Sequence, residues 1–172
     1  MGTRSCVIVK VRKEDIGSTI RFARVSLPVQ LQEWIDRNSD GEVWRDESGK
    51  ERSQPVELKE TYIAIYCHWD GYPSGVGKAL KEKFNDYDYA LNLVSGGFCS
   101  VIDERDGVRH YANRGKRGQI IYEKWNEVAP IQGKTQAEVI SQIDCQYAYL
   151  FDDAHGWRYK SAYDKKSGFK KY

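Results

Sequence analysis

The chain reads as a single α+β domain over residues 1–163, with a mostly antiparallel sheet, two consecutive central helices and one later helix. Strand-like runs crowd both ends of the sequence, helical patterns occupy its middle, and no strand–helix rhythm repeats. At 172 residues there is enough chain for one ordinary core. The apolar share, 40%, is low for such a core, but aromatic residues at 13% offset it because each ring buries a large area. Twelve tyrosines against a single methionine favour an aromatic, β-rich interior over a helical bundle.

Val7, Val9 and Val11 alternate with Ile8, Lys10 and Arg12, the period of a strand. Asp15 to Ser18 is a turn, and Thr19 to Val25 is expected to pair back on the first strand until Leu27-Pro28 ends it. Leu31 to Asp36 reads as a short helix or turn that buries Leu31, Trp34 and Ile35. Residues 37–60 are polar, with turn signals at Ser39-Asp40-Gly41 and Glu47 to Lys50. A structureless loop of that length is uncommon, so a hairpin with Glu42 to Arg45 as one arm is expected.

Tyr62 to Cys67 is the clearest strand. Ile63, Ile65 and Cys67 share one side, and Tyr62, Ala64, Tyr66 and His68 the other. Neither side is polar, which places the strand centrally. Val76, Ala79, Leu80 and Phe84 then form the buried stripe of a helix. Asp86 caps a second helix with Tyr87, Ala90, Leu91 and Val94 inside, and Gly96-Gly97 stops it. Phe98 to Ile102 and Val108 to Ala112 form a hairpin around Asp103 to Gly107. A glycine-spaced basic loop, Asn113 to Gln119, leads to a strand expected over Ile120 to Trp125. Thr135-Gln136-Ala137-Glu138 is a capping-box sequence ahead of Val139, Ile140 and Ile143. Gln146 to Phe151 and Trp157 to Tyr163 form a last hairpin, followed by a basic tail, 164–172, expected to fray.

The formal charge of +2 announces no global field for a nucleic-acid partner. Charge is nonetheless uneven. Between Glu104 and Lys124, Arg105, Arg109, Arg114, Lys116, Arg117 and Lys124 face only Glu104, Asp106 and Glu123. The four cysteines, Cys6, Cys67, Cys99 and Cys145, are widely spaced and form no close pair, so free core thiols in a reducing cytoplasm are expected and a zinc site is not. No leader-like stretch opens the chain, and nothing approaches the roughly 20 apolar residues of a membrane span, so no membrane association is expected.

Function concentrates where the central strand runs into His68, Trp69 and Asp70 and a Gly/Pro/Ser turn opens a helix. Side chains at a strand end facing a helix start are well placed to bind a ligand. His68 and Asp70, two apart on an extended strand, would point to one side, as an acid–base pair requires; the plainer alternative is packing by His68 and turn formation by Asp70. Neither a G-x-S-x-G elbow nor a second histidine at i+4 is present, so no further catalytic or metal set accompanies them. The turn Gly71 to Gly77 could offer amides to an anion, although it matches no phosphate-loop motif; a tight turn needing Gly75 and Gly77 for close packing is the simpler account. Arg109, His110, Tyr111 and Arg114 combine guanidinium and ring groups suited to a phosphate and a stacked base, or form a solvated hairpin.

The run Tyr66 to Gly77 (Tyr-Cys-His-Trp-Asp-Gly-Tyr-Pro-Ser-Gly-Val-Gly), with Leu91 to Ser100 behind it, resembles a family of small, mostly uncharacterised proteins of tailed phages and prophages. The likeness covers the middle third of the chain, with weaker echoes at Arg4 to Cys6 and Tyr147 to Asp152. It implies a phage accessory protein in the cytoplasm of an infected cell, and such proteins often counter host defences. It carries over no residue role.

The expectation is therefore a non-enzymatic binding protein that antagonises a bacterial defence system by sequestering a nucleotide-like anion. Its ligand-binding residues would be His68, Trp69, Asp70, Tyr72, Ser74, Gly75, Arg109, His110 and Arg114, with no cofactor and no metal. The alternatives are an enzyme that cleaves a nucleotide or phosphodiester with His68 and Asp70, and an inhibitor bound directly to a host defence protein. A homo-oligomer with its pocket at a subunit interface would suit the binding role.

Overall fold

Three strands have no polar face, and that decides the architecture. In the computed structural model, which describes residues 2–35, 51–113, 122–164 and 166–172, they are β1 (Ser5–Lys10), β4 (Tyr62–Cys67) and β8 (Tyr147–Asp152). A strand apolar on both sides needs cover on both sides. Between β1 and β4 the chain forms β2 (Thr19–Ile20), α1 (Val29–Ile35) and β3 (Val56–Glu57). After β4 come α2 (Lys78–Lys83), α3 (Tyr87–Ser95), β5 (Cys99–Asp103), β6 (Gly107–His110), α4 (Trp125–Val128), β7 (Ile131–Gly133) and α5 (Gln136–Ser141). β8 and β9 (Gly156–Ser161) complete the described elements. The class is α+β, as the sequence predicts.

The main sheet runs β6-β5-β4-β1-β8-β9. β1 is antiparallel to β4 and parallel to β8, with Val7 opposite both Ile65 and Tyr149. Val7, Val9, Ile63, Ile65, Cys67, Tyr149 and Phe151 face one way, against Val76, Ala79, Leu80 and Phe84 from the α2 region and Ala90, Leu93 and Val94 from α3. Cys6, Ile8, Ala64, Ala148 and Leu150 face the other way, under Val139 of α5 and Ile143. Each large side chain fully buried here stabilises the fold by roughly 1.5–3 kcal/mol before entropy is set against it. The expected face assignment of β4 holds residue for residue.

Helix boundaries follow capping chemistry. The Asp86 carboxylate accepts from the amides of Asp88 and Tyr89 at the start of α3, and Gly97 (φ 85°) turns the chain out in the left-handed region after its end. Thr135 Oγ1 accepts from Glu138 N at 3.1 Å, while Glu138 reaches back to Lys134 N at 2.6 Å, so the capping box closes one residue further out than its simplest form.

Two strand expectations are corrected, one strand is new, and the tail is anchored at its end. Thr19 to Val25 does not return to β1, whose two edges are already taken by β4 and β8; only Thr19–Ile20 is strand, and it pairs with β3. Ile120 to Trp125 is not a strand across its described part: Tyr122 to Lys124 are irregular and Trp125 opens α4. β7 was not anticipated. It pairs with Tyr62 to Ala64 because β5 meets β4 only at Cys67, leaving the other half of that edge open. The end of the tail is tied back: Lys170 exchanges two 2.8 Å backbone hydrogen bonds with Tyr159, and the Tyr172 hydroxyl donates to Gly77 O at 2.7 Å. The hairpin arm expected at Glu42 to Arg45 and the basic loop through Arg114, Lys116 and Arg117 lie outside the described residues. Among the described residues no helix is long and apolar enough to cross a membrane.

Candidate functional site

β4 ends at Cys67, yet its path is held for two more residues: His68 N and Trp69 N donate to Cys99 O and Ser100 O at 3.1 and 2.9 Å. Asp70 then adopts φ 55°, the left-handed region that few side chains tolerate. Such strain persists only where its surroundings hold it. Here Val76 N donates to Asp70 O at 2.8 Å, Gly71 N to Thr3 O at 2.7 Å, and the Tyr149 hydroxyl to Gly71 O at 2.6 Å. Pro73–Gly77 is a single π-helical turn that feeds α2. At Gly75 a Cβ would collide with Asp70 O, so the turn needs glycine there.

This geometry answers the anion reading of the turn. Gly75 N and Gly77 N donate to Tyr72 O, and Val76 N to Asp70 O, so these amides close the turn on itself instead of pointing at a ligand. Ser74 is exposed beside them. His68 and Asp70 also part company. Because the strand has ended and Asp70 is left-handed, the i, i+2 alignment of an extended chain does not apply. His68 Nδ1 is hydrogen-bonded to the Tyr66 hydroxyl, and its ring meets Trp69 edge-on at 4.5 Å. Asp70 Oδ1 instead accepts from the Tyr72 hydroxyl at 3.1 Å.

What does converge is a cleft of about 310 Å³ on the other side of the turn. Trp69 and Asp70 form one wall, Ser100 and Val101 of β5 the floor, and Arg105, Asp106 and Arg109 the opposite wall. The hairpin β5–β6 positions that wall: Asp106 N donates to Asp103 Oδ1 at 2.7 Å, tightening the turn that carries Arg105. Asp106 faces Arg105 at 3.2 Å and Arg109 at 3.5 Å. The Arg109 side chain is almost fully buried, whereas that of Arg105 is 82% exposed at the mouth. Behind them, burial first and then the neighbouring Asp106 and Asp70 push the Asp103 carboxyl above its ordinary range. The Tyr72 hydroxyl is raised too, chiefly through its hydrogen bond to Asp70.

Two guanidiniums against the carboxylates of Asp70 and Asp106 leave the cleft near electrical balance. It suits a planar polar group with both donors and acceptors better than a dense polyanion. Trp69, 44% exposed, supplies the flat apolar surface.

The structure thus brings Trp69, Asp70 and Arg109 together, with Tyr72 bonded to Asp70 at the edge. It does not bring His110 there. That ring is fully buried, 4.5 Å from Phe22, with Nε2 2.8 Å from Leu93 O, and burial lowers its pKa to about 4. His110 is a neutral core residue. Arg114 lies outside the described residues. Sequence reasoning missed Ser100 and Asp106 as site residues, and took Arg105 only as the start of a basic candidate surface running to Arg117. The signal lay in the Asp103 to Gly107 turn, whose Asp106 side chain meets both Arg105 and Arg109.

A second cleft, about 500 Å³, opens near Tyr66 and Phe98, with Tyr111, Val128 and Ile143 in its wall and Glu123 and Asp144 at its rim. Among the described residues, no three His, Cys, Asp or Glu side chains are placed to hold a metal ion. No protein-family model, curated protein or solved structure matches the chain, so the site is read from its own geometry.

Proposed function

We propose that this chain is a phage-encoded accessory binding protein that antagonises a bacterial defence system by sequestering a nucleotide-like signalling molecule. The observation that carries the reading is the cleft in which an exposed indole, two carboxylates and an exposed arginine converge at the end of the central strand. Trp69 stacks on the base. Asp70 or Asp106 accepts from the base N–H groups, and Arg105 at the mouth meets a phosphate in a charge-assisted bond. The near-balanced charge favours a ligand with one or two phosphates over a triphosphate. The phage setting, the infected-cell cytoplasm and the anti-defence role rest on the resemblance of Tyr66 to Gly77.

A panel of cyclic and linear nucleotides tests the reading, with binding followed by thermal shift and ligand integrity by chromatography. Saturable stabilisation with intact ligand is the expected result. Trp69→Ala should weaken binding by about 1–3 kcal/mol, the usual worth of one stacked base, and leave the unliganded melting temperature nearly unchanged because the ring is half in water. Turnover of the ligand would replace sequestration by an enzyme, and silence across the panel would turn the search to a host protein partner.

A further inference from the structure

On the opposite side of the sheet, two cysteines far apart in sequence lie together. Cys6 is on β1 and Cys145 in the loop between α5 and β8. Their side chains share a hydrogen bond inside the smaller core, and both thiols are free. The backbone latches the two segments: Gln146 N donates to Arg4 O at 2.9 Å, Arg4 N donates to Gln146 Oε1 at 3.0 Å, and Arg4 pairs with Asp144 at 2.8 Å. Cys6 is wholly enclosed. Cys145 lines a groove of about 780 Å³, between Ile140 and Ile143 on one side and Lys160 and Tyr163 on the other.

The second thiol pair provides a control within the same molecule. Cys67 and Cys99 are register partners on β4 and β5, both wholly buried, with burial pushing both thiols up, Cys67 to about 12. Cys145 goes the other way, its thiol held below the ordinary value mainly by the hydrogen bond from Cys6. A sulfur at a groove wall with a second, wholly enclosed thiol beside it is the arrangement of an attacking and a resolving cysteine.

We infer that Cys145 and Cys6 form a peroxide-reactive site, Cys145 as the sulfur that is oxidised and Cys6 as the sulfur that resolves it. The Cys145 sulfur, giving up its proton, attacks one oxygen of a hydroperoxide that enters the groove. The O–O bond breaks, the remaining oxygen leaves as water or an alcohol after taking a proton, and Cys145 becomes a sulfenic acid. The Cys6 sulfur, giving up its proton, attacks the sulfenic sulfur; the S–O bond breaks, water leaves, and a disulfide joins the two. Two thiols are oxidised and one peroxide is reduced.

The test uses the whole protein, exposed to a small excess of hydrogen peroxide, quenched by alkylation and mapped by mass spectrometry without reduction. The expected product is a single Cys6–Cys145 crosslink lacking two hydrogens, reversed by a thiol reductant, with Cys67 and Cys99 left as thiols. Cys145 should react at least about tenfold faster than Cys99, since Cys145, though only 5% exposed, lines the groove, whereas Cys99 is wholly enclosed. In Cys6→Ala, a sulfenic acid should be trapped on Cys145 by a dione probe. Equal oxidation of all four cysteines, a Cys67–Cys99 crosslink, or Cys145 unchanged in the wild-type protein would each overturn the assignment.

Discussion

Arg109 and His110 are neighbours on β6, both almost without solvent contact, and the fold gives them opposite fates. Arg109 sits across from Val101 on the cleft side, where Asp106 meets its charge. His110 sits across from Cys99, where it meets Phe22 and a helix-end carbonyl and gives up its charge. Burial alone does not separate a site residue from a core residue. The nature of the partner does: a carboxylate preserves an ion, whereas a ring and a carbonyl preserve a neutral imidazole.

The comparison breaks most sharply at Arg109. Arg109→Ala leaves the Asp106 carboxylate, itself 6% exposed, without one of its guanidiniums. Removing one partner of a buried pair costs about 3 kcal/mol, at the low end of the usual range because Arg105 still reaches the same carboxylate. Urea unfolding at neutral pH measures it, and a loss within the error of the wild-type value would mean that the pair is not a structural ion pair.

At His110 the difference can be read in the pH profile. Its pKa falls from an ordinary 6.5 to about 4 on folding because burial disfavours the cation. The unfolded chain therefore takes up the proton first. Stability from this group is complete above pH 6.5, declines as the pH falls below that, and is lost by about pH 4, a total of about 3 kcal/mol. His110→Gln should flatten that decline relative to wild type. Parallel slopes in the two proteins would show that another group titrates.

The smallest effect belongs to Asp70, and its sign is opposite. Asp70→Gly relieves the left-handed backbone and should raise stability by up to about 1 kcal/mol, while taking a carboxylate out of the cleft. A protein that becomes more stable yet binds its ligand less well would mark the strain at Asp70 as kept for the site. A loss of stability would instead make the Tyr72 hydrogen bond structural.

Much of the fold was legible because its signals are local. The alternation in Tyr62 to Cys67, the stripe from Val76 to Phe84, the Asp86 cap and the Thr135 capping sequence all became the elements they suggest. What was hidden depends on remote chain. Nothing in Thr19 to Val25 says that β1 has already been claimed from both sides, and nothing in Ile131 to Gly133 says that half of β4 lacks a neighbour. The site divides the same way. Trp69, Asp70 and Arg109 stood out by residue type, but their shared cleft depends on a hairpin turn whose Asp106 looked like ordinary loop polarity. His68 and Asp70 misled because strand alternation was carried on to Asp70, three residues past Cys67, where the strand stops.

The parallel pairing of β1 with β8 sets a schedule for synthesis. Ser5 to Val9 leave the ribosome long before their neighbours Tyr147 to Phe151. Until then β4 can shield only one edge of β1, and the other edge stays an open template for pairing with any extended chain nearby. A nascent or truncated product that stops short of Tyr147 would carry this buried strand with that edge bare, which makes synthesis through β8 a condition for keeping this protein from aggregating.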